Sequence, residues 1–308
     1  MVDTDTFLTV LYVMADDFCK RQAQQRRAPG PKASLTESEV ITLVIFSQWA
    51  RFRSERDFYR YAVSRLRPAF PTLPRRSQFN RLTRRYYGTL AAFFRCLAGL
   101  LQGRHCLYEA LDSSGVPTRD AKRRGRGWLA GQADIGWSNR LGWYEGFHLL
   151  LSVNPQGVIT GFSFAPASTK DQTLAEDFFA FRHTLHPRLP TLGAPALGWY
   201  VADKGFEGRE LHKRWQHRYG AWLISPPKGN SKTPWPKGLR RWLAGIRQTV
   251  ETVFEKLCHA FGLDRERPHQ LDGFQTRLTA KAALHNFCIW LNRQLGRPSL
   301  AFVDLLGW

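Results

Sequence analysis

The feature that most limits the fold is a change of texture near residue 105. Before it, apolar residues recur at spacings of three and four, the period of helices buried on one face. After it, apolar residues come in short runs that stop at Asp, Asn, Gly or Ser, the pattern of strands closed by turns. The longest apolar run, Val40 to Phe46 with Thr42 inside it, is about seven residues. A membrane span needs roughly 18. The sequence therefore predicts an all-helical N-terminal domain over 1–102 and a mixed α/β (α+β) domain over 103–308.

Within the first part, residues 1–20 read as a helix, followed by a basic linker with Pro and Gly from Arg21 to Lys32. Ser34-x-x-Glu37 and Thr36-x-x-Glu39 are both capping boxes, so the next helix starts at Ser34 or Thr36 and runs to Trp49. Further helices fit Ser54 to Ser64 and, after Pro68, Pro71 and Pro74, Ser77 to Gln102. In the second part, Cys106 to Leu111 reads as a strand ending in the turn Asp112-Ser113-Ser114-Gly115. Strands over Trp143 to Val153 and Val158 to Phe164 are joined by the turn Asn154-Pro155-Gln156-Gly157. A helix from Gln172 to His183 follows Asp171 as its cap. The strand Leu197 to Ala202 ends in Asp203-Lys204-Gly205, and a helix from Glu207 to His217 and a strand from Ala221 to Ser225 come next. Residues 226–238, rich in Pro, Gly and Lys, predict a mobile basic loop before helices over Leu239 to Ala260 and Phe274 to Leu295.

The chain has 45 Lys+Arg against 25 Asp+Glu, a net charge of +20, and the excess is local. Residues 51–104 carry net +11, residues 119–126 net +4 and residues 227–247 net +6. Such clustering points to a polyanion, nucleic acid before an anionic membrane. The candidate nucleic-acid contacts are Arg75, Arg76, Arg81, Arg84 and Arg85 in the first segment. In the second they are Arg119, Lys122, Arg123, Arg124 and Arg126. The third segment offers Lys228, Lys232, Lys237, Arg240 and Arg241 around Trp235, cations interleaved with an aromatic. No Gly-rich phosphate loop appears, so a nucleotide cofactor is not implied. The five cysteines are odd in number and form no Cys-x-x-Cys pair, and the N-terminus has Asp3 and Asp5 where a signal peptide would be basic. A reducing, cytoplasmic setting is expected.

Asp112 and Asp203 occupy the same kind of place: each follows an apolar strand and precedes a small-residue turn. Taken singly, either is an ordinary turn or cap aspartate. Together, on neighbouring strands, they would repel unless a divalent cation lay between them. The third candidate is on the helix after residue 239, where Val250, Val253, Phe254 and Leu257 form the apolar face. Glu251 borders that stripe, Glu255 lies further towards solvent, and Arg247 stands one turn before Glu251. A surface Arg/Glu ladder is the plain alternative. Three carboxylates suit Mg²⁺ or Mn²⁺. His148 reads as a satisfied strand histidine, His183-x2-His186 as surface, and Lys281 and His285 as packing groups.

Asp112-Ser113-Ser114, Ala202-Asp203-Lys204-Gly205-Phe206 and Arg247-x3-Glu251-x2-Phe254, in that order, resemble the DDE transposases of bacterial insertion sequences. Leu35-Thr36-Glu37-Ser38-Glu39-Val40, Ser54-Glu55-Arg56-Asp57-Phe58 and Phe70-Pro71-x-Leu73-Pro74-x-Arg76-Ser77 are most similar to the insertion sequence 982 group. The resemblance spans about residues 34 to 295. It implies an RNase H-like catalytic domain, a mixed central sheet flanked by helices. It implies Asp112, Asp203 and Glu251 as ligands of two Mg²⁺ or Mn²⁺ ions, and Arg247 and Lys204 as DNA contacts. The expected reaction is strand cleavage at terminal inverted repeats and strand transfer into target DNA, by a homodimer. An inactive or domesticated DNA-binding derivative and a nuclease without strand transfer are the alternatives. Related families carry Tyr and Lys where this chain has Ala244 and Cys258.

Overall fold

The computed structural model describes residues 1–23, 33–102, 106–120, 129, 131–183, 197–227 and 234–308. Strand β1 (Val2–Asp3) leads into helices α1 (Thr4–Ala23), α2 (Glu37–Phe46), α3 (Glu55–Tyr61), α4 (Arg76–Arg85) and α5 (Tyr87–Leu101). Then come β2 (Glu109–Asp120), β3 (Asp134–Ser138), β4 (Gly142–Val153), β5 (Ile159–Pro166) and α6 (Asp171–His183). The chain continues through β6 (Trp199–Ala202), a 3-10 turn (Lys204–Phe206), α7 (Arg209–Tyr219) and β7 (Trp222–Ile224), and ends with α8 (Lys237–His259), α9 (Leu271–Gln294) and β8 (Leu306–Gly307). No described helix is long and apolar enough to cross a membrane.

The helix starts follow local chemistry. Thr36 caps α2, and its N–H donates to the Glu39 carboxylate at 2.6 Å, the reciprocal box that the sequence offers. Ser54 caps α3 through the Asp57 N–H. α3 runs on into a π-turn at Ala62–Leu66. The helix expected over Ser77 to Gln102 is two helices, because Tyr86 leaves helical geometry (φ −95°, ψ 16°) and redirects the chain.

Among the described residues, β2 to β7 form one mixed sheet. β4 is antiparallel to β2 along one edge and to both β3 and β5 along the other, while β2, β6 and β7 run parallel. This mixed α/β architecture is consistent with the RNase H-like fold expected. β3 has no counterpart in the sequence reading. The turn expected at Asp112 to Gly115 is not a turn: β2 continues to Asp120, since its β4 edge stays paired through these small residues after its β6 edge ends at Leu111.

One face of the sheet and both long C-terminal helices share a continuous apolar cluster with α1 to α5. Phe7 of α1 packs edge-on to Phe287 of α9 at 5.1 Å. α9 is buried nearly all round, and several of its polar groups find fixed partners. Asn286 bonds both the N–H and the C=O of Ile159 on β5, His285 Nε2 meets the Gly157 carbonyl at 2.9 Å, and Lys281 donates to the Phe261 carbonyl. The other sheet face packs on α6 and α7 through Phe178, Phe179, Tyr200, Phe206 and Trp215.

Candidate active site

The register of the parallel strands sets the site. Ala110 pairs with Val201 and Leu111 with Ala202, so the next residues, Asp112 and Asp203, come level. Asp112 stays within β2, its Oδ1 accepting the Ser113 N–H at 2.9 Å. Asp203 caps the 3-10 turn, its Oδ1 accepting the Gly205 N–H at 2.7 Å. Phe206, fully buried, anchors this turn in the core. A side chain at Gly205 would place its Cβ 2.9 Å from Asp171 Oδ2 and 2.9 Å from Asp203 Oδ1. The glycine thus lets two carboxylates close over the backbone.

α8 brings Glu251 to the same cleft, about 910 Å³ in volume, which is also lined by Asp112, Asp203, Arg247, Asp171 and His148. Glu255 lines it as well, so helix geometry leaves both glutamates within the cleft. Arg247 Nη2 donates to Glu251 Oε1 at 3.3 Å. The electrostatics register the convergence. Burial pushes the Asp112 carboxyl up to about 6, opposed by the Ser113 N–H and Arg247 and reinforced by the Asp203 and Glu251 carboxylates.

Among the described residues, no group of three or more His, Cys, Asp or Glu side chains stands ready to hold a metal ion. The donor chemistry nevertheless fits a hard divalent cation. Several carboxylates face one cleft, and burial together with the neighbouring carboxylates raises the pKa of one of them, Asp112. Glu251 differs from the two aspartates in being paired with Arg247.

Two further residues of the cleft, Asp171 and His148, keep the cap and strand positions that the sequence gives them and also meet beside Asp112. Asp171 opens α6, and its Oδ1 accepts the Ser113 hydroxyl at 2.5 Å. His148 Nε2 lies 3.3 Å from the same oxygen, and its Nδ1 lies 2.8 Å from the Thr169 carbonyl. This network ties α6 and β4 to the residue after Asp112. No local spacing links positions 113, 148 and 171; only the sheet register, which sets His148 opposite Gly115, brings them together.

The basic candidates are scattered. Lys204, Lys237, Arg240 and Arg241 are exposed and do not line the cleft. Arg119 lies near the end of β2, 3.7 Å from Glu145. Arg76 and Arg84 line a different cleft, while Arg75, Arg81 and Arg85 line neither. Lys122, Arg123, Arg124, Arg126, Lys228 and Lys232 lie outside the described residues, as does His186. Ala244 is exposed on α8, and Cys258 lines the cleft with its thiol pushed up by burial.

A family model described as "Transposase DDE domain" matches residues 110–287, more than half of the chain, from β2 into α9. No curated protein and no solved structure matches the chain.

Proposed function

The chain belongs to the DDE transposase family, and from that premise we propose that it cuts DNA at the ends of its own insertion sequence and joins the freed 3′ hydroxyls to target DNA. The observation that carries this reading is the level placement of Asp112 and Asp203 on adjacent parallel strands, with Glu251 in the same cleft. Asp112, Asp203 and Glu251 are the proposed ligands of two Mg²⁺ or Mn²⁺ ions. Such a pair of ions, when bound, activates the attacking oxygen and stabilises the leaving one in an in-line displacement.

The chain's own residues divide the remaining work. β2 and the Asp203 turn fix two carboxylates on rigid elements, and the Gly205 N–H orients the second. Glu251 reaches the site from α8, and Arg247, beside it, meets the phosphate of the strand being cut. Ser113, Asp171 and His148 hold the strand around Asp112 in place. The N-terminal residues 1–102 form the proposed DNA-binding domain and 103–308 the catalytic one. The basic segments around Arg75–Arg85, Arg119–Arg126, Lys204 and Lys228–Arg241 contact the DNA backbone. The resemblance of the motifs near residues 35–80 supports membership of the insertion sequence 982 group, and the proposed working form is a homodimer on paired ends.

The test uses purified protein and a labelled duplex carrying the element end. Cleavage at the boundary that requires both Mg²⁺ or Mn²⁺ and an intact Asp203 is expected, with products joined to a second, unlabelled DNA. Cleavage retained in Asp203→Ala would sink the assignment of the triad. Nicked products that never join would reduce the activity to that of a nuclease.

A further inference from the structure

The connection between α8 and α9 is a wall common to two clefts. Cys258, His259 and Asp264 line the carboxylate cleft, while Phe261, Gly262 and Arg265 line another of about 500 Å³. The other walls of this second cleft are the end of α2 with its link to α3, the start of α3, one face of α4 and the first half of α9.

Its charge is one-sided. Two cations of α9, Lys281 and Arg277, are neutralised locally. Glu266 bonds Arg277 Nε at 2.6 Å and Lys281 Nζ at 3.1 Å, and Glu55 bonds Arg277 Nη1 at 3.1 Å. Those two glutamates are the only carboxylates among the described residues of the lining. Six further arginines line the cleft and are exposed: Arg53, Arg56, Arg76, Arg84, Arg265 and Arg267. None of their guanidinium groups has a carboxylate partner among the described residues; the Arg53 bond to Asp57 is made by its backbone N–H. Arg84 donates to Gln270 Oε1 and Arg267 to the Glu266 carbonyl, both neutral acceptors.

Exposed guanidinium groups left without acids repel one another until an anion separates them. Their distribution over α3, α4 and the α8–α9 connection rules the chemistry of that anion. The positions ring a cleft, which suits a chain of phosphates more than a single ion. Guanidinium forks match phosphate oxygens, and Asn80 Nδ2, which gives one hydrogen to Glu55, has a second for the same oxygens.

We propose that this cleft grips one strand of the sugar–phosphate backbone of duplex DNA, next to the carboxylates. It does so independently of base sequence. The proposal rests on the reading of the chain as a DNA transposase. It adds Arg53, Arg56, Arg265 and Arg267 to the contacts and gives Arg76 and Arg84 a shared site with them. Because the α8–α9 connection borders both clefts, DNA held here lies beside the strand being cut.

Backbone contacts are read from salt dependence. Each phosphate neutralised contributes about −0.9 to the slope of log K against log salt for duplex DNA. The full chain would be titrated with an element-end duplex and with a scrambled duplex, without divalent ions, over a series of NaCl concentrations. Arg56→Ala, Arg76→Ala and Arg265→Ala are each expected to flatten the slope by about 0.9. Both duplexes should weaken by the same factor. Arg60→Ala, an exposed arginine of α3 that does not line the cleft, should leave the slope unchanged. A triple variant with the wild-type slope and affinity would overturn the proposal. So would an equal loss in Arg60→Ala. Cleavage by the wild type with Mg²⁺ is scored separately. A chain that cuts but keeps its slope in the triple variant loses only the cleft, and one with the slope changes but no cutting loses only the catalytic reading.

Discussion

Asp112, within β2, and Asp203, just past the end of β6, each follow the last register pair of these neighbouring parallel strands, Leu111 and Ala202. Burial raises the proton affinity of Asp112, and the neighbouring Asp203 carboxylate adds a smaller share.

That arrangement predicts that neutralising Asp112 stabilises the metal-free protein. Its carboxyl titrates near 6 in the folded chain against 3.8 as a free side chain, so folding favours the protonated form. The stability this gives is fully present below pH 3.8, falls as pH rises through 6, and is absent at neutral pH. Asp112→Asn should therefore raise stability at pH 7.5 by about 1–3 kcal/mol, and the gain should vanish near pH 4. Thermal melts in a chelator at the two pH values check it. The same variant should lose any rise in melting temperature that Mg²⁺ gives the wild type, since a cation bound only by the folded state stabilises it.

The Arg247–Glu251 pair separates stability from function. Both side chains are well exposed, at 39% and 58%, so the ion pair contributes no more than about 0.5 kcal/mol to folding. Arg247→Ala should melt within a degree or two of the wild type. End cleavage should fall on the order of tenfold or more if Arg247 meets the transferring phosphate. A lowered melting temperature with cleavage intact would assign Arg247 to structure instead.

Gly205→Ala tests the close approach at the Asp203 turn. The added methyl would sit 2.9 Å from oxygens of both Asp171 and Asp203, so one carboxylate has to move. A stability loss of about 1–3 kcal/mol is expected from the crowding. The Mg²⁺-dependent stabilisation should fall with it, because Asp203 loses its hold on the Gly205 N–H. Normal Mg²⁺ stabilisation in this variant would show that the turn tolerates a side chain.

How far the site could be read from the sequence follows from the range of each signal. The Thr36 box, the 154–157 hairpin and the apolar stripe that orients Glu251 on α8 are local patterns, and they are where the sequence puts them. The continuation of β2 past Asp112 is not local. Ser113-Ser114-Gly115 has the composition of a turn, yet β4 pairs with it residue for residue. β3 was hidden for a related reason: most of its residues are only partly covered, and Trp137 is exposed, so no apolar run marks it. Asp171 resembles a plain helix cap until the sheet brings Ser113 and His148 against it. The second cleft joins residues about two hundred positions apart, Arg56 to Arg265.

His285 carries the last prediction, and it runs against that of Asp112. Its ring is fully buried in α9 between Phe261 and Phe302, with Nε2–H donating to the Gly157 carbonyl and Nδ1 without a partner among the described residues. Burial holds its pKa down to about 4, helped by the positive charge of Lys256 and opposed by the Gly157 bond. A histidine held neutral by folding contributes stability above its ordinary value of 6.5 and loses it as pH falls towards 4, by about 3 kcal/mol in all. Over the same window Asp112 gains stability as pH falls, so the wild-type profile should be flatter than either group alone would give. The Asp112→Asn variant removes the opposing slope and should expose a clear decline in melting temperature from pH 6.5 to pH 4. Adding His285→Gln should make that decline clearly shallower, whatever it does to the absolute stability, the remainder falling to His183, whose pKa burial also lowers. A decline of equal steepness in the double variant would place the acid sensitivity elsewhere in the molecule.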